Sequence, residues 1–339
     1  MNYLENLSCL NKKSNFGSKH AKLHYRPHLE LEPYHQILDL TIDILKKYVS
    51  GSVTTKIVAR KTGKNLKIEL NGINLKIESI KSVTEDTKEF LNVSWSYNDD
   101  IINCKWKKDW IKGEKRDLII FYSIKAPVGG LYFSSPTNNE PDKPVFVHAD
   151  HETERARYWL PCIDHPSVRC TLDINLTSHK EYSILANGRL IRESETNNDT
   201  KTAHWKLDIP CPSYLITLCI GDLVTYKDRD ADFGYGPIPT EYFTSKRYIS
   251  DNLRITFSKT PEMIEWMRNK LGKLEYPKYF QYALPQVSGA MENISLVSWD
   301  DFVILDEIFA KEISWNIDQT NVHELAHSWF GDVVVMKDF

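Results

Sequence analysis

Short stretches in which apolar and polar residues alternate restrict the fold of this chain more than any other feature. In the clearest one, residues 38–44, Leu and Ile occupy every second position and Asp and Thr lie between them. Alternation with a period of two is typical of a β-strand with one buried face. Similar stretches lie at 53–59, 66–70, 73–77, 90–97, 118–124, 171–176, 204–207 and 214–220. So many short strands predict an all-β, sandwich-like domain over residues 30–235.

The dipeptide Asn71-Gly72 separates two of these stretches, 66–70 and 73–77. Asn-Gly is the strongest short signal of a two-residue hairpin loop, because both residues tolerate positive φ. We therefore expect the two stretches to pair as a β-hairpin.

Helical signals appear in the last third of the chain. Thr260 suits an N-cap and Pro261 the first position of a helix, which Gly272 would end. A second helix is predicted over residues 312–330, with Gly331 as its stop.

The stretch 230–239 is rich in glycine and proline, which suits a domain junction. We predict an N-terminal arm over residues 1–29, poorly ordered or lying on the surface up to Tyr25. An all-β domain over 30–235 follows, and then a second domain over 240–339 with both helices. The chain is therefore predicted to be an α+β protein with more than one domain.

Composition and charge describe an ordinary globular protein. Hydrophobic residues make up 41% and charged residues 26% of the 339 residues. The net charge of −3 gives no electrostatic reason to expect nucleic acid or a membrane as a partner. The first thirty residues lack the apolar core of a signal peptide, and no stretch is apolar enough to span a membrane. We therefore expect a cytoplasmic protein.

The six cysteines contain no Cys-x-x-Cys pair. In a chain of this length they are expected to be reduced and mostly buried thiols. They are Cys9, Cys104, Cys162, Cys170, Cys211 and Cys219.

His323 and His327 lie four residues apart in the second predicted helix. Residues with this spacing lie on the same face of a helix, one turn apart. Two imidazoles so placed can bind one Zn²⁺, and Glu324 beside them can take a proton from a metal-bound water. A catalytic zinc normally has a third protein ligand as well.

The same pattern also fits two solvated histidines on a surface helix. The residues around the pair are mostly apolar, however, and include Val322, Leu325 and Trp329. We therefore expect a buried helix, on which two imidazoles and a carboxylate need partners, and a metal ion is the simplest one.

A second motif, residues 289–293, reads Gly-Ala-Met-Glu-Asn. Its two small residues would let an extended peptide approach the backbone closely, as strand addition requires. Glu292 could then contact the α-ammonium group of a peptide. Taken by itself, the segment fits a turn with an exposed glutamate better.

Together, in this order and at this spacing, the two motifs resemble those of the gluzincin zinc aminopeptidases, the group that contains alanyl aminopeptidase and leukotriene hydrolase. Three segments of the N-terminal half resemble landmarks of the same family, so that the resemblance covers the chain from about residue 30 to 339. They are Gly130-Leu-Tyr132, residues 152–166 and Pro212-Ser-Tyr-Leu215.

The resemblance implies a role for each matching residue. His323 and His327 would be zinc ligands and Glu324 the general base. Glu292 and Glu152 would bind the free N-terminus of a peptide, since two carboxylates facing one cation select a free amine. The other substrate-binding positions implied by the motif are Gly289, Ala290, Met291 and Asn293.

The fold that the resemblance implies is an all-β N-terminal domain followed by the first part of a thermolysin-like α/β zinc-peptidase domain. The implied activity is removal of N-terminal residues from peptides, with one Zn²⁺ as cofactor. The family's third zinc ligand and its oxyanion-stabilising tyrosine would both follow Phe339. We therefore expect the chain to be the N-terminal portion of a longer enzyme, and to be inactive or nearly so by itself.

Two other functions remain open at this point. One is epoxide hydrolysis of a lipid with the same zinc, as in leukotriene hydrolase. The other is a binding or scaffold module without activity. The intact His323, Glu324 and His327 argue against it for the longer enzyme, whereas the expected truncation argues for it in this chain.

Overall fold

The computed structural model describes residues 27–337. Most of the predicted N-terminal arm, including Tyr25, lies outside the described residues, and so does Cys9.

Strands dominate the N-terminal part of the chain, as predicted. They are β1 (Leu31–Asp43), β2 (Tyr48–Ala59), β3 (Lys67–Asn71), β4 (Lys76–Thr84), β5 (Phe90–Leu91), β6 (Val93–Asn98), β7 (Ile101–Trp106), β8 (Lys115–Lys125), β9 (Leu131–Ser134), β10 (Phe146–Ala149), β11 (Arg169–His179), β12 (Ser183–Ala186), β13 (Arg189–Glu195), β14 (Thr200–Pro212) and β15 (Leu218–Gly221).

These strands form three sheets. The largest has eight strands in the order β13-β14-β11-β1-β2-β8-β4-β5, and its only parallel pair joins β1 to β11. A four-stranded sheet has the order β12-β15-β10-β9, and β3, β7 and β6 form the third. In β1 the side chains of Leu38, Leu40 and Ile42 are buried, so the predicted alternation does separate core from surface.

The predicted hairpin at Asn71-Gly72 does not form. Strand β3 pairs with β7, and β4 pairs with β8, in different sheets. The Asn71 amide donates to the Cys162 carbonyl at 2.6 Å, and the Gly72 amide donates to the Asp100 carbonyl at 2.9 Å. The prediction was wrong because partners distant in sequence satisfy the backbone groups that a hairpin would have used.

The remaining strands belong to the C-terminal part. They are β16 (Leu223–Lys227), β17 (Ala231–Asp232), β18 (Pro237–Ile238), β19 (Thr240–Ser245), β20 (Tyr279–Ala283), β21 (Ala290–Met291) and β22 (Leu296–Trp299).

A mixed sheet of five of these strands organises the C-terminal part, in the order β16-β19-β20-β22-β21. Its β19–β20 and β20–β22 pairs are parallel. Two helices connect β19 to β20, as a parallel crossover requires. Strand β16 precedes the stretch 230–239 yet pairs with β19. The predicted domain boundary between residues 235 and 240 therefore stays a prediction.

Three helices pack near this sheet: α1 (Ser250–Phe257), α2 (Thr260–Leu271) and α3 (Glu307–His327). Helix α2 matches the predicted first helix and ends at Leu271, where Gly272 follows as the C-cap with φ +92°. Its N-cap is Lys259, because the Thr260 hydroxyl instead accepts hydrogen bonds from the Gln281 and Asn321 amides.

Helix α3 is the predicted second helix, but with shifted ends. It begins at Glu307 because the Asp306 side chain accepts hydrogen bonds from the amides of Ile308 and Phe309. It ends at His327, three residues before the predicted end.

The expectation of a buried α3 was wrong for one of its faces. Ile317, Asn321, Glu324 and Leu325 are buried. On the opposite side Trp315 is 65% and Phe309 57% exposed. Within residues 27–337 no other segment covers this outer face.

Five cysteines, Cys104, Cys162, Cys170, Cys211 and Cys219, are free and buried, which confirms the prediction for the described part of the chain. No helix among residues 27–337 is long and apolar enough to cross a membrane.

Candidate metal centre

The last turn of α3 brings the two motif histidines together. Their Nε2 atoms lie 3.2 Å apart, and the ring centroids are 4.7 Å apart with an interplanar angle of 89°. The four-residue spacing therefore directs both Nε2 atoms to one point, as predicted from the sequence.

This arrangement fits two corners of a zinc site. Zn–N bonds of about 2.0–2.1 Å at tetrahedral angles separate two ligand nitrogens by about 3.3 Å, close to the 3.2 Å between the Nε2 atoms of His323 and His327. Among residues 27–337 no group of three or more His, Cys, Asp or Glu side chains is placed to hold a metal ion.

The His327 ring is fixed in the tautomer that a metal ligand needs. Its Nδ1 lies 3.1 Å from the Phe330 carbonyl oxygen, which can only accept a hydrogen bond. The proton therefore sits on Nδ1, and the Nε2 lone pair is free to face His323.

Gly331 has a structural role that the sequence analysis, which treated it only as a helix stop, did not find. Its φ is +141°, and a Cβ atom there would lie 2.8 Å from His327 Nδ1. Glycine therefore lets the chain turn back beneath the imidazole.

Glu324 points from α3 into the interior. Its side chain is buried, and its Oε2 atom has no hydrogen-bond partner among the described residues. Burial, with smaller contributions from the charges of Glu292 and Glu152, raises the pKa of Glu324 to about 8. In the metal-free chain this carboxyl group can therefore hold a proton at neutral pH.

Glu292 and Glu152 reach the same place from two other segments. Glu292 directly follows β21, and its Oε1 lies 3.9 Å from His327 Nδ1. Burial raises the pKa of Glu152, and the charges of Glu292 and Asp150 raise it further. The mutual interactions of Glu152, Glu292 and Glu324 mark them as one cluster of carboxyl groups beside the histidines.

The remaining motif positions differ in how they can meet a ligand. Gly289 is exposed and Ala290 half-buried. The Met291 side chain is buried in the core, and the buried Asn293 amide donates to the Ser298 hydroxyl at 3.2 Å. Any contact of Met291 or Asn293 with a substrate would therefore involve the backbone, and their substrate-binding role stays a prediction.

Two acidic residues near the site were missed by sequence reasoning. Asp150 pairs with Arg155 at 3.4 Å beside Glu152. Asp332 is buried, accepts a hydrogen bond from the Tyr276 hydroxyl, and donates its amide to the His327 carbonyl at 3.0 Å. No local pattern distinguishes either residue from a surface aspartate.

Two protein-family descriptions match the sequence. The Peptidase M1 N-terminal domain matches residues 22–215, and the Peptidase family M1 domain matches residues 255–339. The chain belongs to peptidase family M1. This confirms the resemblance that the two motifs indicated.

Curated relatives of this M1 chain are aminopeptidases by name. Probable aminopeptidase 2 of Sulfurisphaera tokodaii is 26% identical over 58% of this chain and 25% of its own length. Aminopeptidase A of Gloydius brevicauda is 23% identical over 90% of this chain and 32% of its own length. Aminopeptidase N of Lactobacillus delbrueckii subsp. lactis is 27% identical over 88% of this chain and 34% of its own length. The M1 chain thus spans a quarter to a third of the length of these relatives.

Solved structures share the fold. The M1 zinc metallopeptidase of Deinococcus radiodurans superimposes with a TM-score of 0.72 at 22% identity, over 91% of this chain and 66% of that one. A two-domain M1 zinc metallopeptidase mutant bound to L-tryptophan gives a TM-score of 0.73 at 21% identity, over 91% of this chain and 67% of that one. The predicted order, an all-β domain followed by the start of a peptidase domain, is confirmed.

Proposed function

We propose that this chain carries two zinc ligands, the general base and the amine-binding carboxylates of a zinc aminopeptidase that removes N-terminal residues from peptides. The observation that carries the proposal is the convergence of His323 and His327 beside the carboxyl groups of Glu152, Glu292 and Glu324.

The two histidines would hold a zinc ion, which when bound polarises a carbonyl oxygen and acidifies a water molecule. Glu324 is the proton carrier. With a zinc ion bound nearby, the cation would lower the pKa of Glu324 and favour its carboxylate form. That carboxylate would take a proton from the attacking water and pass it to the leaving amine. Its position next to His323 in the chain keeps it within reach of the metal-facing side of the helix.

Glu152 and Glu292 account for selection of a free N-terminus. Glu152 is exposed and Glu292 half-buried. Desolvation of its carboxyl group raises the pKa of Glu152 most, and repulsion by Glu292 raises it further. A substrate ammonium between them would relieve that repulsion, whereas an acetylated N-terminus or an internal peptide segment would not. The chemistry is therefore that of an exopeptidase.

The comparisons support the same activity. The relatives are named aminopeptidases. One mutant of the Deinococcus radiodurans metallopeptidase was crystallised with a Tyr-Ser-Ala substrate. No comparison favours lipid epoxide hydrolysis over peptide hydrolysis.

The proposed partners are peptides with a free N-terminus, and the proposed location is the cytoplasm. Five free, buried thiols fit a reducing compartment. The net charge of −3 gives no reason to expect nucleic acid or an anionic membrane as a partner.

Ligand binding to the zinc-supplemented chain tests the proposal. Calorimetry would compare the amides of leucine, lysine and glutamate with their N-acetylated counterparts. We expect the free amines to bind more tightly, and zinc uptake to be lost in the His323→Ala variant. Equal affinity for free and acetylated ligands, or full zinc occupancy in His323→Ala, would refute the proposal.

A further inference from the structure

The glutamate that follows β21 lies at the tip of a short hairpin, which we call the motif hairpin (residues 290–299). Strands β21 and β22 pair through Ala290–Trp299 and Met291–Ser298. Glu292 comes directly after β21, and the turn of residues 293–295 returns the chain to β22. The orientation of Glu292 therefore depends on what holds this turn.

The β12–β13 connection of the N-terminal part holds the turn from one side. The Asn187 amide nitrogen donates to the Ile294 carbonyl at 2.8 Å, and the Gly188 amide donates to the Ser295 hydroxyl at 2.8 Å. Asn187 and Ser295 are both fully buried. These are contacts between segments more than 100 residues apart in sequence.

Lys278, just before β20, holds the turn from the other side. Its Nζ donates to the Ser295 carbonyl at 3.1 Å, to the Ser295 hydroxyl at 3.2 Å and to the Ala186 carbonyl at 3.0 Å. The ammonium group also lies 4.9 Å from the ring centroid of Trp205 and 5.0 Å from that of Phe280.

Three acceptors lie within hydrogen-bond distance of Lys278 Nζ and two aromatic faces surround it, while burial lowers the pKa of this amine. This is why a buried lysine can remain there, and why its loss would leave the carbonyls of Ala186 and Ser295 with fewer donors. We call Lys278, Asn187 and Ser295 the turn clamp.

The turn clamp is connected to the segment that carries the second amine-binding carboxylate. The Asn187 side-chain oxygen accepts a hydrogen bond from the Thr217 amide at 2.6 Å. The Thr217 hydroxyl donates to the Ala149 carbonyl at 3.2 Å, three residues before Glu152. A continuous path of buried hydrogen bonds thus joins the Glu292 hairpin to the Glu152 segment.

We propose that the turn clamp positions Glu292 relative to Glu152 and thereby sets the selectivity of the site for a free amine. The proposal rests on the proposed function, since it assigns both carboxylates to the substrate ammonium. Lys278, Asn187 and Ser295 are buried, so they would act as positioning residues and not as ligands of a substrate. Substituting these residues should therefore change the affinity for a free amine and leave the histidine pair on α3 unchanged.

The test compares Lys278→Met and Ser295→Ala with Arg268→Met. Arg268 is a matched control, because it is another buried cation that donates to backbone carbonyls, those of Ala231 and Gly236. Each zinc-supplemented variant is titrated with leucine, lysine and glutamate amides and with their N-acetylated forms, and its zinc stoichiometry is measured in parallel.

We expect Lys278→Met to weaken binding of the free amides about tenfold, to lower the ratio of free-amide to acetylated-amide affinity, and to leave zinc stoichiometry unchanged. Ser295→Ala should act in the same direction but more weakly, and it covers the case in which Lys278→Met does not fold. Arg268→Met should keep the native ratio of free-amide to acetylated-amide affinity.

The outcomes separate the two proposals. If the native chain binds free and acetylated amides equally, the proposed function fails. If the native chain discriminates and Ser295→Ala or a folded Lys278→Met keeps the native ratio, the turn clamp is structural only and this inference is overturned. An equal loss of selectivity in Arg268→Met would overturn it as well, because general loosening would then explain the effect.

Discussion

At the scale of single residues, the N-terminal part contains an imidazole that is unrelated to the metal centre. His148 is fully buried, and its ring lies 5.3 Å from Tyr132, 5.9 Å from Phe146 and 6.0 Å from Tyr282, measured between centroids. Burial lowers the pKa of His148 to about 4. The ring is therefore neutral at pH 7, and protonating it would place a charge inside the core.

His148 should make the folded state sensitive to acid. Because the pKa of His148 is lower in the folded chain than the 6.5 of the unfolded one, the unfolded state binds more protons as the pH falls below about 6.5. The free energy of unfolding should therefore decrease between about pH 6.5 and 4, with about 2 kcal/mol lost from this residue by pH 5. Denaturant unfolding of the native chain and of His148→Phe at pH 7 and pH 5 measures the difference.

The exposed His179 provides the matched control, as His179→Phe should keep the native loss of stability. A native pH dependence in His148→Phe would show that other groups cause the acid sensitivity.

At the scale of elements, the end of α3 carries the histidine pair and is set by the turn that follows it. Gly331 takes φ +141°, and any Cβ atom there would press on the His327 ring. The Asp332 amide also donates to the His327 carbonyl at 3.0 Å. The helix end and the ligand orientation therefore depend on the same backbone conformation.

Gly331→Ala should both destabilise the chain and weaken zinc binding. The unfavourable φ costs about 1–3 kcal/mol, and the displaced His327 ring no longer aligns its Nε2 with that of His323. Gly113→Ala is the control, because Gly113 also has a positive φ, +85°, but nothing lies within 4 Å of a Cβ atom there. Thermal unfolding and chelator competition measure the two effects. Unchanged zinc affinity in Gly331→Ala would contradict the coupling between the turn and the ligand.

At the scale of the whole molecule, large apolar side chains are exposed on α3 and on neighbouring segments of the chain, and we call this set the apolar surface. Its exposed side chains are Phe302, Ile308, Phe309, Ile313, Trp315, Val322, Phe330, Val333, Val334 and Met336. Large apolar side chains exposed in this number favour association over exposure to water.

We expect the purified chain to self-associate as its concentration rises. Trp315→Glu with Phe309→Lys should reduce that association, because both side chains lie on the apolar surface and are more than half exposed. Trp266→Glu is the control, since Trp266 is 58% exposed but lies on α2 and is not part of this set of side chains. Sedimentation velocity at several concentrations measures the effect. A native chain that stays monomeric, or a double variant that associates as the native chain does, would contradict the expectation.

Local periodicity alone determined much of the molecule. Alternation with a period of two predicted β1, β2, β8 and β11, because one face of each strand is buried whatever strand lies beside it. The i, i+4 spacing predicted the convergence of His323 and His327, because helix geometry fixes it.

Only the tertiary structure decided which segments meet. Asn71-Gly72 is a strong hairpin signal, yet its backbone groups bond to Cys162 and Asp100. Lys278 and Asn187 meet at the turn of the motif hairpin although no local pattern links them to Glu292. Hydrogen bonds between distant segments depend on how whole sheets pack. The local sequence pattern around a donor or an acceptor does not predict that packing.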